Sequence, residues 1–266
     1  NGAQKFINLF STFSNLQLSK KIYSLRSNKA YEYFLPFSSK TLDTNLVQLT
    51  INSRNSLFIN RFSSKINAQI DVNYLKSKTL LTSGNEIRIS QNQSLTIRWN
   101  IYKELLLQSS YNHGTKANLS DFYLTQQYNI NLHETSNELS YLYRNMIRLA
   151  FTYGFAYRKN TIAVYGGQLT TQHNASLDFR FSKSGKTTVN SKFTVAAVKY
   201  NNNGVANLQA EYTLLEGLKN GINYIWNVGI EQKISSALQL IIGYDGRKTG
   251  TDKVINTARA EIRALF

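Results

Sequence analysis

Apolar and polar residues alternate one for one along most of the chain. The clearest stretch is "INAQIDVNY", with Ile66, Ala68, Ile70, Val72 and Tyr74 interleaved with Asn67, Gln69, Asp71 and Asn73. Successive strand residues point to opposite faces, so such a segment presents one apolar and one polar side. The period recurs in "SLTIRWNI", "NMIRLAFTYGFAYRKN", "ASLDFRF", "GINYIWNVGIEQ" and "ALQLIIGYD". Divided at turn signals, it predicts strands over 12–24, 45–62, 65–76, 85–101, 104–113, 127–143, 146–158, 170–182, 188–200, 221–232, 237–246 and 255–266. That is about twelve, within a range of about 10–14, each long enough for the roughly 9–11 residues a tilted strand needs to cross a bilayer. Within 127–143 the apolar parity slips between Leu132 and Leu139, which predicts a bulge or an extra hairpin. The stretch "GVANLQAEYTLLEGLKNG" also alternates and reads as a strand pair or a loop.

Short links (61–65, 102–104, 144–145, 182–186, 233–236) alternate with long ones (25–44, 77–84, 114–126, 159–169, 201–220, 247–254). Short periplasmic turns and longer extracellular loops mark outer-membrane barrels. The predicted fold is therefore all-β, an up-and-down antiparallel transmembrane barrel, and residues 1–266 form a single domain. A soluble barrel would keep its apolar face inside and have about eight strands. The chain ends "AEIRALF", with Ile262, Ala264 and Phe266 on the apolar side. A terminal aromatic gains little in water but fits an aromatic girdle at a membrane interface, so these three are read as a C-terminal assembly signal.

Composition supports this reading. One Pro, 17 Tyr and 14 Phe favour strands, and zero Cys excludes disulfides and thiolate metal sites. Mean hydropathy is −0.34, as expected when lipid-facing and lumen-facing residues average out. The net charge of +16 raises the question of nucleic acid, but the basic residues are scattered where a footprint would cluster them. Lys20, Lys21, Arg26, Lys29, Lys76, Lys78, Lys116, Lys159, Arg247, Lys248 and Lys253 are assigned to loops and turns, opposite lipid phosphates and lipopolysaccharide.

The alternation divides the remaining candidates between two faces. Asp71, Glu86, Arg88, Arg98, Arg148, Asp178, Arg180, Lys192, Glu231, Asp245, Arg259, Glu261 and Arg263 fall on the lumen side, and their balanced signs predict cross-lumen ion pairs filling a narrow barrel. Trp99, Tyr153, Phe179, Phe181, Tyr224 and Trp226 fall on the lipid side. "RFSKSGKTT" ends like a phosphate-binding loop, but Arg180 stands where its first glycine belongs and a strand follows where a helix is needed, so a hairpin turn is predicted. His113, His133 and His173 lack the spacing of a helical metal site, and nothing marks a nucleophile elbow. No catalytic residue, metal or cofactor is assigned.

The stretches "DTNLVQLTINSRNSLFINRF" (43–62), "LLEGLKNGINYIWN" (214–227) and "LQLIIGYDGRKTGTDKVINTARAEIRALF" (238–266) resemble the ends of large outer-membrane proteins of Bacteroidota. The resemblance implies a Gram-negative outer-membrane location, a barrel that is the C-terminal part of a longer chain, and insertion by the barrel-assembly machinery. It supplies no reaction. The functional expectation is a non-enzymatic anchor or scaffold subunit in a complex with other outer-membrane proteins, serving assembly, secretion or nutrient import. A narrow porin for small solutes is the alternative, and a barrel enzyme a third.

Overall fold

A computed structural model of the 266-residue chain describes residues 10–22, 46–63, 65–82, 84–162, 167–183, 185–202, 204 and 207–264. Twelve strands follow one another: β1 (Phe10–Ile22), β2 (Leu46–Ile59), β3 (Ile66–Leu81), β4 (Gly84–Asn100), β5 (Leu105–Ser120), β6 (Tyr128–Tyr143), β7 (Ile147–Asn160), β8 (Leu169–Lys183), β9 (Thr187–Asn201), β10 (Gly221–Lys233), β11 (Leu238–Thr249) and β12 (Ile255–Ala264). They form a single sheet in which sequence order is spatial order, and every neighbouring pair is antiparallel. This is the predicted all-β meander, with the predicted number of strands.

The register carries the alternation from strand to strand. Trp99 lies opposite Leu107, Leu107 opposite Leu139, Leu139 opposite Phe151, Phe151 opposite Leu177, Leu177 opposite Phe193, and Phe193 opposite Trp226. One apolar row thus crosses seven strands, and it is solvent-accessible: Phe151 is 50% exposed and Leu177 46%. The polar side chains of the same strands share the opposite face. Apolar side out and polar side in is the arrangement of a membrane barrel and the inverse of a soluble one.

Three sequence expectations are corrected. First, β3 and β5 run on to Leu81 and Ser120, so the links predicted at 77–84 and 114–126 shrink to 82–83 and 121–127. Lys76, Lys78, Lys116, Lys159, Arg247 and Lys248 therefore sit in strands, as do Lys20 and Lys21; Lys253 lies in the β11–β12 link, and Arg26 and Lys29 fall outside the described residues. At 76–79 and 114–116 neither face carries an apolar side chain, which interrupts the alternation that marks a strand. Second, β6 contains no bulge and no extra hairpin, because its pairings with β5 and β7 are unbroken. Its parity slips because Ile130 and Leu132, on the lumen face, are buried. Third, "LQAEYTLL" is neither a strand pair nor an open loop but a helix, α1 (Leu208–Leu215), which packs on β6, β7 and β8. The phosphate-loop look-alike is the β8–β9 turn, with Gly185 at φ 64° and strand β9 starting at Thr187.

Candidate functional site: a helix held in the barrel lumen

Helix α1 begins at Asn207, whose side chain accepts a hydrogen bond from the Ala210 N–H at 3.0 Å and donates one to the Gln127 carbonyl at 2.7 Å. That one residue caps the helix and ties it to the 3-10 turn Leu124–Gln126 before β6. At the other end Glu216 adopts a left-handed conformation at φ 51°, and Gly217 at φ 80° continues the reversal. The buried side of the helix consists of Ala210, Leu214 and Leu215. The wall behind it supplies buried Ile130, Leu132, Ala156, Ala196 and Val198, all on the lumen face by register.

Arg158 of β7 clamps the C-terminal end. It is 5% exposed. Its guanidinium donates to Glu134 through Nε at 2.9 Å and Nη2 at 2.6 Å, to Gln172 and the Leu214 carbonyl through Nη1 at 2.9 and 3.2 Å, and to Glu216 through Nη2 at 2.9 Å. Every donor of the fork is used, as a buried guanidinium requires. Lys116 adds a longer contact to Glu216 at 3.8 Å. Behind the helix, Asn223 is fully buried; its amide donates to the carbonyls of Ala196, Lys219 and Gly221, and its carbonyl accepts from the Lys219 N–H. Lys219 then reaches Asp252 in the β11–β12 link at 2.7 Å and, through the hydrogen bond it donates, holds that carboxyl below its ordinary range. A polar cavity of about 500 Å³ lies beside the clamp, lined by Asn112, Glu134, Thr152, Arg158, Lys192 and Glu216.

The register places the predicted lumen charges on the helix-bearing face: Asp71 of β3; Glu86, Arg88 and Arg98 of β4; Arg148 of β7; Asp178 and Arg180 of β8; Lys192 of β9; Glu231 of β10; Asp245 of β11; and Arg259, Glu261 and Arg263 of β12. Their partners are local. Arg88 pairs with Glu86 at 2.9 Å, Arg263 with Glu261 at 2.7 Å and Arg148 with Glu138 at 2.7 Å. Asp71 accepts from Ser56 and Gln69, and Asp245 accepts from Asn227. The expected cross-lumen ion pairs are not formed among the described residues; each pair joins neighbours along or between adjacent strands, a strand and the helix segment, or, for Lys219 and Asp252, two links. The lumen is filled on this side by backbone, in the form of α1. Glu134, Glu138 and Glu216 were not among the sequence candidates: the parity slip in β6 hid the first two, and an apparent loop hid the third. Arg158 had a usable signal, since it shares parity with Arg148 in the same strand.

Trp99, Tyr153, Phe179, Phe181, Tyr224 and Trp226 lie on the apolar outer face, as do Ile262 and Ala264; Phe266 falls outside the described residues. The histidines, separate in sequence, come together on that face. His113 and His133 are direct register partners with ring centroids 4.4 Å apart, and the Tyr111 hydroxyl lies 3.0 Å from His133 Nδ1. The Tyr153 hydroxyl lies 2.8 Å from His173 Nδ1. With Tyr157 they form a polar-aromatic border between the apolar band and the long-link end.

No family model and no curated protein sequence matches the chain. Among solved structures it is similar to the siderophore receptor PirA from Acinetobacter baumannii, with a TM-score of 0.59 at 9% identity, over 95% of this chain and 40% of the receptor. The chain therefore spans about two fifths of that protein's length. It also matches OmpT, an outer membrane protein of Vibrio cholerae, at TM-score 0.47 and 7% identity, over 96% of this chain and 99% of the other. The NanC porin matches at TM-score 0.39 and 10% identity, over 82% of this chain and 94% of the porin. The fold is that of an outer-membrane β-barrel.

Proposed function

We propose that the chain is the barrel domain of a longer Bacteroidota protein in the Gram-negative outer membrane, and that it serves as a non-enzymatic anchor or scaffold subunit. Its partners are other outer-membrane proteins, with lipopolysaccharide around the barrel and the assembly machinery acting during insertion. One observation carries the reading: α1 is held inside the lumen by a buried, fully bonded Arg158. A segment packed inside a lumen against one wall narrows it and is kept where solute flow is not the purpose. A capped helix fixed at both ends fits a structural part better than a mobile gate.

The test is purification of the whole protein from its own membrane in mild detergent, with co-purifying proteins identified by mass spectrometry. A stoichiometric complex is the expected result, and its members name the process. A barrel that emerges alone and conducts steadily in a planar bilayer overturns the scaffold role in favour of a porin. The polar cavity beside Arg158 is the one feature favouring that second reading, since it offers water a foothold next to the helix.

A further inference from the structure

The short-turn end of the lumen carries a second arrangement, which the helix does not use. Arg148 of β7 and Arg180 of β8 are direct register partners on the lumen face. Side chains so placed start about 5 Å apart at Cβ, and like charges in that position destabilise a sheet. Glu138 answers one of the two, through its 2.7 Å contact with Arg148. Arg180 has no ion pair or hydrogen bond to a side chain among the described residues, and it is exposed to the lumen.

The surroundings add donors. Arg148, Arg180, Ser182 and Asn145 line one concavity of about 290 Å³. Asn145 is delivered there by the tight turn 144–146, in which Arg144 and Asn145 both have positive φ, 48° and 54°. Such a turn matches the twist of a hairpin but ordinarily uses Asn-Gly, so an arginine in it is held against its preference. Arg148 also borders a neighbouring concavity of about 890 Å³, to which Lys65, Arg98 and Lys103 contribute. Glu104 and Glu138 are the carboxylates lining these two concavities, so cations outnumber carboxylates here, whereas beside α1 the charges balance. These groups lie on the face opposite the apolar band, so the headgroups of surrounding lipid do not reach them.

We infer that Arg148 and Arg180 form a binding site for a small dianionic oxyanion of phosphate type, which bridges the two guanidiniums from the lumen. Planar guanidinium forks match tetrahedral oxyanions in two-point hydrogen bonds, and a dianion removes the repulsion that the register imposes. Asn145 and Ser182 supply neutral donors at the rim. The site is separate from the helix clamp and stands whether the barrel is a scaffold or a pore.

The experiment is calorimetric titration of the whole protein in zwitterionic micelles at low, fixed chloride, with inorganic phosphate as the probe. Saturable one-to-one binding is expected. Arg180→Gln should weaken it by roughly tenfold or more, and Arg180→Lys by less, since it keeps the charge but loses the fork. Replacing the turn cations Lys183 and Lys186 by Gln should leave the affinity within about twofold, because neither lines the concavity. Heat-dependent gel mobility verifies that each variant is folded; if Arg180→Gln does not fold, Arg180→Lys carries the comparison. Absence of saturable binding, or equal affinity in the folded Arg180 variant, overturns the site.

Discussion

Gly246 presents no side chain on the apolar face, and the indole of Trp226 occupies the space one would take. A Cβ at that position would lie 2.1 Å from the ring. The two are register partners on β10 and β11, so the ring covers bare backbone that would otherwise face lipid. Gly246→Val is expected to displace the indole and cost about 1–3 kcal/mol. Because Trp99 and Trp226 are the only tryptophans, the displacement can be read as a shift in fluorescence in a Trp99→Phe background. Unchanged emission would mean that the ring does not rest there. Arg144 is the opposite case, a side chain where none is favoured: at φ 48° it sits in the region that glycine enters freely. Arg144→Gly should gain about 0.5–1 kcal/mol in unfolding equilibria, provided that its contact over the Tyr143 ring contributes less.

Helix α1 is short enough that eight residues would not hold a helix alone in water, and its stability comes from what it touches. Arg158→Ala removes the clamp and leaves Glu134 and Glu216, both partly exposed, without their shared partner, a loss of about 1.5–3 kcal/mol. The helix should then leave the lumen, and single-channel recordings should show openings that the parent protein lacks; equally silent traces would mean that something else blocks the path. The tether at Lys219 responds to acid. The Asp252 carboxyl is held below its ordinary value of 3.8 by the Lys219 hydrogen bond. Its contribution is therefore complete above that ordinary value and disappears as pH falls through the depressed one. Amide exchange around 219 and 252, corrected for intrinsic rates, should accelerate between about pH 5 and about pH 2 and stay flat between about pH 5 and pH 7. Asp121, lowered by hydrogen bonds from the Asn85 N–H and side chain, should follow the same course at the β5–β6 link. These elements also mark how far the sequence could be read. Strands such as β3, β7 and β10 were legible because one face meets lipid and the other water. The helix was not, because its weak polarity and its neighbours in β6 obey contacts inside the lumen, and the partners of Arg158 are brought together only by strand pairing and by the return of residues 207–216.

The position of the molecule in a bilayer follows from comparing rows of the outer face. The row from Trp99 through Phe151 to Trp226 is apolar on every strand it crosses. Further toward the long links, the row Gln91, Thr115, Asn131 and Lys159 is polar on the four strands β4 to β7. Strands β4 to β7 thus outrun the apolar band at this end, which fits the 17 residues of β4 when about 9–11 suffice for a crossing. The histidine-tyrosine border of His113, His133 and Tyr157 lies between the two rows and fits the headgroup level, where polar tips on apolar rings are favoured. The same substitution should therefore carry two different costs on one barrel. Phe151→Arg, within the apolar band, should destabilise the folded barrel by about 2–4 kcal/mol in lipid, and Asn131→Arg, in the polar row, by about 0–1. Urea titrations in vesicles of one thickness measure both. Equal costs would mean that the apolar row does not face hydrocarbon, since the contrast requires lipid at one level and water at the other.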